Sequence, residues 1–468
     1  MTNGQQSAFN EFKRFLDADT NVYILRGYAG TGKTTLIRHF IDELKRQKRS
    51  YVLLASTGRA AKILSNMTGC SASTVHGLIY KFTDINQDME SMDKDSTESL
   101  VDKIGQLLLN FDLCPLVDDG ERDKVYLVDE ASMISDVKDA NQQSMFGSGK
   151  LLSDLLTYNP NGKYVFIGDA CQLPPVGQPE SPALSVNYFL NTFGIDAMNT
   201  ELTDIVRQKA DNDIVQSAQL MRHLYFSPQP WKWAKFPLKG FRNIHLLSSP
   251  AELYSEYLRS VKTDGFNNAT LIGYSNKQCN SVTNFVRPAL GISSKTLAAG
   301  DLLLITQNNY LSGLMNGDLV VVQDVRGTER RAGMSFLMVQ VKELFTGKVY
   351  SQLLLEDILY SNITNLTAEQ QKNLYVDFYY RMKDKGIKQK SAKFRQMMMQ
   401  DPYLCAIRAV FGYALTCHKA QGGEWDKVFL DIPKNLPQAE KPGVYQWIYT
   451  AMTRASKELY IVKDFWVI

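Results

Sequence analysis

Residues 25–36 read LRGYAGTGKTTL, an apolar run that passes through a glycine-rich turn into a lysine, two threonines and a helical pattern. Few local features restrict a fold so strongly. Gly27, Gly30 and Gly32 let the backbone bend until its amides surround an anion, Lys33 is placed to reach the outer phosphate oxygens, and the Thr34 hydroxyl suits a magnesium ion. The helix that begins near Lys33 adds its positive end. A turn of this kind needs a strand before it and a helix after it, so the chain is expected to build an α/β sheet that grips a nucleoside triphosphate.

The rest of the first 190 residues agrees with that expectation. NVYILRG, SYVLLAST, KVYLVDEAS and KYVFIGDA are short apolar runs flanked by turn or polar residues, each followed by a helical pattern, as in a parallel sheet covered by helices. NATLIGYSN, DKVFLDI and LYIV repeat the habit later, which predicts a second α/β unit. A chain of 468 residues with 44% apolar residues has material for roughly two to four cores. Its 52 basic and 49 acidic residues give a net charge of +3, too mild a balance to announce a polyanionic partner. The six cysteines form no C-x-x-C pair, so neither a disulfide framework nor a structural zinc is expected. With no apolar run of signal-peptide or membrane-span length, the expectation is a cytoplasmic protein without membrane contact.

Two segments break the rhythm. Residues 80–122 hold an acidic stretch followed by IGQLLLNFDLCPLV, which reads as an insertion between a helix and the next core strand. Residues 296–356 change to short strands joined by N-G-D and T-G-K turns, as in a small barrel, and a helix follows with Thr367 and Gln370 as a capping box and Gly386 near its end.

More chemistry sits at strand ends. VYLVDEAS delivers Asp129, suited to orienting magnesium, and Glu130, suited to polarising an attacking water. IGDACQLPPVG delivers Asp169 and then Gln172, whose amide suits sensing of the γ-phosphate, before the stiff Pro174–Pro175 turn. Arg207 and Arg454 lie far along the chain. A guanidinium supplied by a second domain neutralises charge on the γ-phosphate only when that domain closes, an effect of about 10³ to 10⁵ in rate.

These stretches together resemble the superfamily 1B helicases of the RecD and Dda type. GQQSA is similar to the adenine-reading Q motif, GYAGTGKT to motif I, ASTGRAAKIL to Ia and ASTVHGLI to Ib. VDEASM, GDACQLPPVG, LTDIVRQ, YALTCHKAQGGEWDKV and YTAMTRASKEL resemble motifs II to VI in order. The resemblance implies two RecA-like parallel-sheet motor domains, at 1–195 and at 196–295 with 396–468. It implies a small pin or wedge subdomain at 80–122 and a small β-barrel with a helical extension at 296–395. It further implies ATP and Mg2+ as cofactors, bound through Gly27, Gly30, Thr31, Gly32, Lys33, Thr34 and Thr35, with Asp129 and Thr34 on the metal and Glu130 on the water. Gln172, Arg207 and Arg454 would sense the γ-phosphate, Gln5 the base and Glu424 the ribose. Thr57, Thr74, His76, Thr416, His418 and Lys419 would line the path of a single strand.

The chain departs from the family at Ser56, where motif Ia usually carries proline, and at residues 139–149, DANQQSMFGSG, which lengthen the connection after Glu130. Two basic stretches, 230–243 and 381–395, suit nucleic-acid contact, and a solvated or packing role is the expectation for both. The activity so implied is ATP-driven 5′ to 3′ translocation on single-stranded and forked DNA with duplex separation, by a monomer working beside replication or recombination proteins. An RNA-directed helicase, and a DNA-loading protein that clamps without unwinding, remain open beside it.

Overall fold

The computed structural model describes residues 1–85, 109–116, 124–138, 144–205, 213–231, 233–309, 311–361, 365–389, 391–434, 436 and 443–468. The four expected strands form at Val22–Gly27, Tyr51–Ala55, Val125–Asp129 and Lys163–Gly168. With Ala72–Thr74 and Met198–Leu202 they make a six-stranded sheet in which every pairing is parallel. Alternate residues explain why these strands read as unbroken apolar runs. Tyr23, Leu25, Leu53 and Leu127 face a core closed by Phe12, Phe15, Leu36 and Phe40 of the helices Asn3–Asp17 and Lys33–Arg46. Val22, Ile24, Leu54 and Val128 face the opposite core, closed by Leu152 and Leu155 of the helix Leu151–Tyr158. A parallel sheet buried on both faces has no polar side to show in its sequence.

Met198–Leu202 pairs with the first strand from Tyr23↔Met198 to Gly27↔Leu202. The first unit therefore runs past residue 195 to at least Leu202. The reason it was not visible is its edge position: exposure alternates along MNTEL, and one face stays polar.

The second α/β unit orders its parallel strands as Ile244–Leu247, Ala455–Val462, Trp425–Asp431, Ala269–Gly273 and Leu415–Thr416. Between Ala269–Gly273 and Leu415–Thr416 the chain makes an antiparallel sheet of Leu302–Ile305, Leu319–Arg331, Met334–Glu343, Val349–Leu355 and Ala409–Phe411. Its two ends meet where the Leu355 N–H donates to the Ile407 carbonyl at 3.0 Å and the Ile407 N–H donates to that of Leu353 at 2.7 Å. The fifth strand lies beyond residue 395, so this module reclaims part of the chain assigned above to the second α/β unit. The helix Ala368–Asp384 starts on a capping box between Thr367 and Gln370, and Gly386 follows its end at φ +68°.

The insertion forms a small sheet in which Tyr80–Ile85 runs antiparallel to Leu109–Leu113. Ser144–Phe146 joins it parallel to Leu109–Leu113, so the unexplained lengthening after Glu130 supplies the third strand. Leu107 and Leu108 fall outside the described residues. Among the described residues no helix is long and apolar enough to cross a membrane, and all six cysteines are free thiols.

Candidate nucleotide site and strand path

The glycine-rich loop leaves the carboxyl end of the strand Val22–Gly27, beside the ends that carry Asp129 and Asp169. Gly30 and Gly32 hold φ values of 82° and 78°, a left-handed region that side chains avoid. At Gly27 it is space that excludes a side chain, since a Cβ would stand 2.8 Å from the Thr31 hydroxyl. Gly32 caps the helix Lys33–Arg46 with no side-chain bond, which leaves the first-turn amides for an anion. The Lys33 ammonium folds back onto the Gly27 and Tyr28 carbonyls at 2.7 and 3.3 Å. Gln5 is buried against this loop: its amide nitrogen donates to the Thr31 carbonyl at 3.1 Å while its oxygen accepts from the Thr2 N–H.

Asp129 closes its strand, and Glu130 follows with a left-handed φ of 50°. Burial and the neighbouring Glu130 carboxylate push the Asp129 carboxyl up to about 7, against the pull of Lys33. Burial likewise raises Asp169, which Lys33 and Tyr449 partly offset. One oxygen of Glu130 and the side-chain oxygen of Gln172 are buried without a hydrogen-bond partner. Two acids near Lys33, with Glu130 beside them and acceptor atoms unspent, suit a divalent cation and a polarised water. Among the described residues no three acidic, histidine or cysteine side chains converge as a metal cage, so a cation here would draw its remaining ligands from phosphate and water.

The second α/β unit reaches this site through the helix Gly443–Met452. Gln446 donates to the Gln172 carbonyl at 2.9 Å, and the Thr450 hydroxyl accepts from the Leu173 N–H at 2.9 Å. The Tyr449 hydroxyl donates to Asp169 at 2.6 Å and accepts from the Ala29 N–H at 2.9 Å. Gln421 adds a bond to the Leu173 carbonyl at 3.1 Å. On the helix Asp213–Phe226, the Arg222 guanidinium lies 3.9 Å from the centre of the Tyr28 ring. Gln446, Tyr449, Thr450, Gln421 and Arg222 were not singled out in the sequence. The available signal was three polar side chains at i, i+3 and i+4 in an otherwise apolar helix.

Arg454 follows that helix, buried, and its guanidinium holds the Thr450 and Gly423 carbonyls and the Thr453 hydroxyl at 3.1, 3.3 and 3.2 Å. It is bound within its own unit here rather than to the glycine-rich loop. Arg207 lies outside the described residues. Glu424 is exposed beside the buried Trp425. Thr34 and Thr35 lie on the first helical turn, as read from the sequence.

The expected strand-path residues fall into three groups. Thr57 and Thr74 are helix caps, accepting from the Ala60 and Gly77 amides, and a Cβ on Gly422 would lie 3.4 Å from the Thr57 hydroxyl. His76 and His418 line a cavity of about 560 Å³ between the two units, with Tyr80, Phe146 and Pro174 to Val176. Burial pushes His76 down to about 4 and lowers His418, so both rings are neutral near pH 7. Thr416 and Lys419 line a smaller cavity with Asn276 and Asn280. Of the basic stretches, Phe236 packs in the core while Trp231 and Trp233 are exposed, and Arg381 is spent on Asp377 and Asp401. Phe236 and Arg381 are thus packed or paired, and the two tryptophans lie at the surface.

Two parallel-sheet units meet across a glycine-rich loop whose sequence and backbone suit phosphate binding. A family model described as an AAA domain matches residues 1–224, and one described as a UvrD-like helicase C-terminal domain matches residues 411–462. The chain is 25% identical to the ATP-dependent RecD2 DNA helicase of Deinococcus radiodurans, over 94% of this chain and 46% of that one. It is 23% identical to the ATP-dependent DNA helicase dda of Enterobacteria phage T4, over 99% of each. It thus spans about half the length of the first relative and nearly all of the second. A crystal structure of a Bacteroides Pif1 helicase in complex with ADP-AlF3 and ssDNA overlays with a TM-score of 0.48 at 15% identity, over 100% of this chain and 94% of that one, a likeness too slight to carry argument. The chain is similar throughout to superfamily 1B DNA helicases of the RecD and Dda type, as its motifs imply.

Proposed function

We propose that the chain is an ATP-driven motor that moves 5′ to 3′ on single-stranded DNA and separates duplex ahead of it. The observation that carries this reading is the helix Gly443–Met452, which touches both the glycine-rich loop and the loop bearing Gln172. A nucleotide bound there has the second unit as its wall, so binding and release act on both units at once.

In this reading the amides from Gly30 to Thr34 and the Lys33 ammonium bind the phosphates, and Glu130 takes the proton of the attacking water. Thr34 and Asp129 hold magnesium, which when bound screens the phosphate charge. Gln172, with its buried oxygen unpaired, is free to bond at the γ-phosphate, and Arg454 and Arg207 arrive on closure. Gln5 and Glu424 bind base and ribose. Thr57, Thr74, His76, Thr416, His418 and Lys419 hold the strand, the two histidines as neutral donors. The insertion sheet lies beside the cavity lined by His76 and His418, which supports its use as the wedge; the antiparallel module is the small barrel. The protein works as a monomer in the cytoplasm, alongside replication or recombination proteins.

The test joins one variant to two substrates. Lys33→Ala is expected to lower ATP turnover by about 10³ or more while DNA binding persists. Wild-type turnover should rise with single-stranded DNA and less with RNA, and strand displacement should require a 5′ tail. Displacement only from 3′-tailed duplex would overturn the polarity. Stronger stimulation by RNA would indicate an RNA-directed helicase, and binding without displacement a loading protein.

A further inference from the structure

Tyr449 stands out because its single hydroxyl is used twice, on both sides of the nucleotide site. It accepts from the Ala29 amide of the glycine-rich loop at 2.9 Å and donates to the Asp169 carboxylate at 2.6 Å. The second oxygen of Asp169 accepts from the Cys171 N–H at 2.9 Å, one residue before Gln172. Both Tyr449 and Asp169 are buried, at 2% and 0% exposure, so no water stands in readily for either bond. Burial and the Asp169 carboxylate push the phenol well above its ordinary value, which keeps the hydroxyl protonated and fixes it as the donor to the carboxylate.

The neighbours on the helix complete the link. Gln446 and Thr450 bond the backbone of Gln172 and Leu173, so three side chains at i, i+3 and i+4 hold one loop from one face. The Thr450 hydroxyl also donates to the Gln446 carbonyl at 2.8 Å, tying two of the three together. Arg454, two residues past the end of the helix, keeps its Nε on the Thr450 carbonyl. A shift of the Ala29 amide or of Asp169 is therefore felt first at Tyr449 and then along a short rigid element that ends at Arg454.

We propose that Tyr449 is a positioning residue that couples occupancy of the glycine-rich loop to the placement of the second unit, through its paired bonds to Ala29 and Asp169. This rests on the motor reading above. The phosphates pull the loop amides toward themselves, the Ala29 bond lengthens or breaks, and the helix Gly443–Met452 re-seats with its remaining bonds to Asp169, Gln172 and Leu173.

The test uses the full chain, ATP, a single-stranded oligonucleotide and a 5′-tailed duplex. Tyr449→Phe keeps the ring and removes the hydroxyl. The DNA-stimulated kcat should fall about tenfold, the rate equivalent of one buried hydrogen bond, with KM for ATP changed less than about twofold. Base pairs opened per ATP hydrolysed should fall about threefold or more, a ratio that does not depend on the active fraction and so is blind to partial misfolding. An unchanged kcat together with an unchanged ratio would overturn the inference. Should the variant fail to fold, the wild type supplies the second arm by amide hydrogen exchange. Binding of a non-hydrolysable ATP analogue should change exchange at Gly443–Met452 as well as at the glycine-rich loop, and a change confined to the loop would overturn the inference. A wild type with no DNA-stimulated hydrolysis and no displacement sinks the motor reading, while the exchange arm still decides the coupling.

Discussion

Two of the junctions that hold the first α/β unit to the rest of the chain have opposite chemistry. At the nucleotide site, Gln446, Thr450 and Gln421 bond to backbone groups, Tyr449 bonds the Asp169 carboxylate, and the Arg222 guanidinium lies over the Tyr28 ring. At the far side, the Lys62 ammonium of the helix Gly58–Thr68 sits between Asp318 and Glu343 of the antiparallel module, at 2.6 and 3.1 Å. Both acids are nearly inaccessible, at 2% and 1%. Neutral bonds to backbone contribute about 1 kcal/mol each and trade partners at little cost. A buried ion triad behaves differently: fully apart, all three charges regain water, but a partial opening strands one of them. The nucleotide junction is therefore suited to graded movement, and the ionic junction to an on or off docking in one register.

The strongest way to break this comparison is Lys62→Met, which keeps the apolar stem and takes from two buried carboxylates the cation bonded to them, while the Arg59 guanidinium still attracts both. Losing one side of such a site costs about 3 to 5 kcal/mol. The expected outcome is a lower unfolding midpoint with faster amide exchange at both Gly58–Thr68 and Leu319–Val322. A loss confined to a few tenths of a kcal/mol would mean that the triad is solvated and that the two junctions do not differ in kind.

Gly58→Ala probes the same junction without touching a charge. A Cβ there would stand 2.3 Å from both the Cβ and the sulfur of Met315, so the backbone of the Leu311–Gly317 turn has to give, not merely a flexible side-chain end. Overpacking of this kind costs about 1 to 3 kcal/mol. Exchange should quicken on the antiparallel module while the glycine-rich loop is unaffected; equal effects at both places would show that the junctions are not independent.

The junctions also mark the boundary of what the sequence discloses. The glycine-rich loop, Asp129 and Glu130 are local patterns, each fixed by a strand buried on both faces, and their placement followed from reading a dozen residues at a time. The capping box at Thr367 and Gln370 was legible for the same reason. Met198–Leu202 and Ala409–Phe411 were not, because an edge strand with one polar face and a three-residue strand carry almost no signal apart from the partners that pair them. Tyr449 was hidden more thoroughly. An aromatic residue in an apolar helix reads as packing, and its partner Ala29 lies 420 residues away.

At the nucleotide junction Thr450→Val is the matching probe. It is isosteric, removes the acceptor of the Leu173 N–H and leaves that buried amide unpaired, at a cost of about 1 to 2 kcal/mol. If the comparison holds, the effect falls on DNA-stimulated turnover more than on the unfolding midpoint, because the remaining bonds of the helix still seat it. A midpoint loss as large as that of Lys62→Met would make this junction as rigid as the ionic one.

The smallest effect belongs to Asp318→Asn, and its pH dependence sharpens the account of the ionic junction. The two partners titrate with unlike outcomes: Asp318 and Glu343 hold Lys62 above its ordinary value despite its burial, whereas burial outweighs Lys62 at Asp318 and raises that carboxyl above 3.8. The shared ammonium thus keeps its own charge more firmly than it holds the charge of Asp318. A carboxyl whose pKa is raised by folding contributes stability that is complete below its unfolded value and is lost as pH climbs through the folded value. Asparagine imitates the protonated acid and keeps an acceptor for the Met315 N–H, while Lys62 retains Glu343. The variant should therefore be no less stable than the wild type at pH 7, within about 1 kcal/mol, and the two stability curves should converge as pH falls toward 4. A deficit at pH 7 that vanishes in acid would reverse the sign, and would show that the Asp318 carboxylate is favoured by its surroundings rather than tolerated by them.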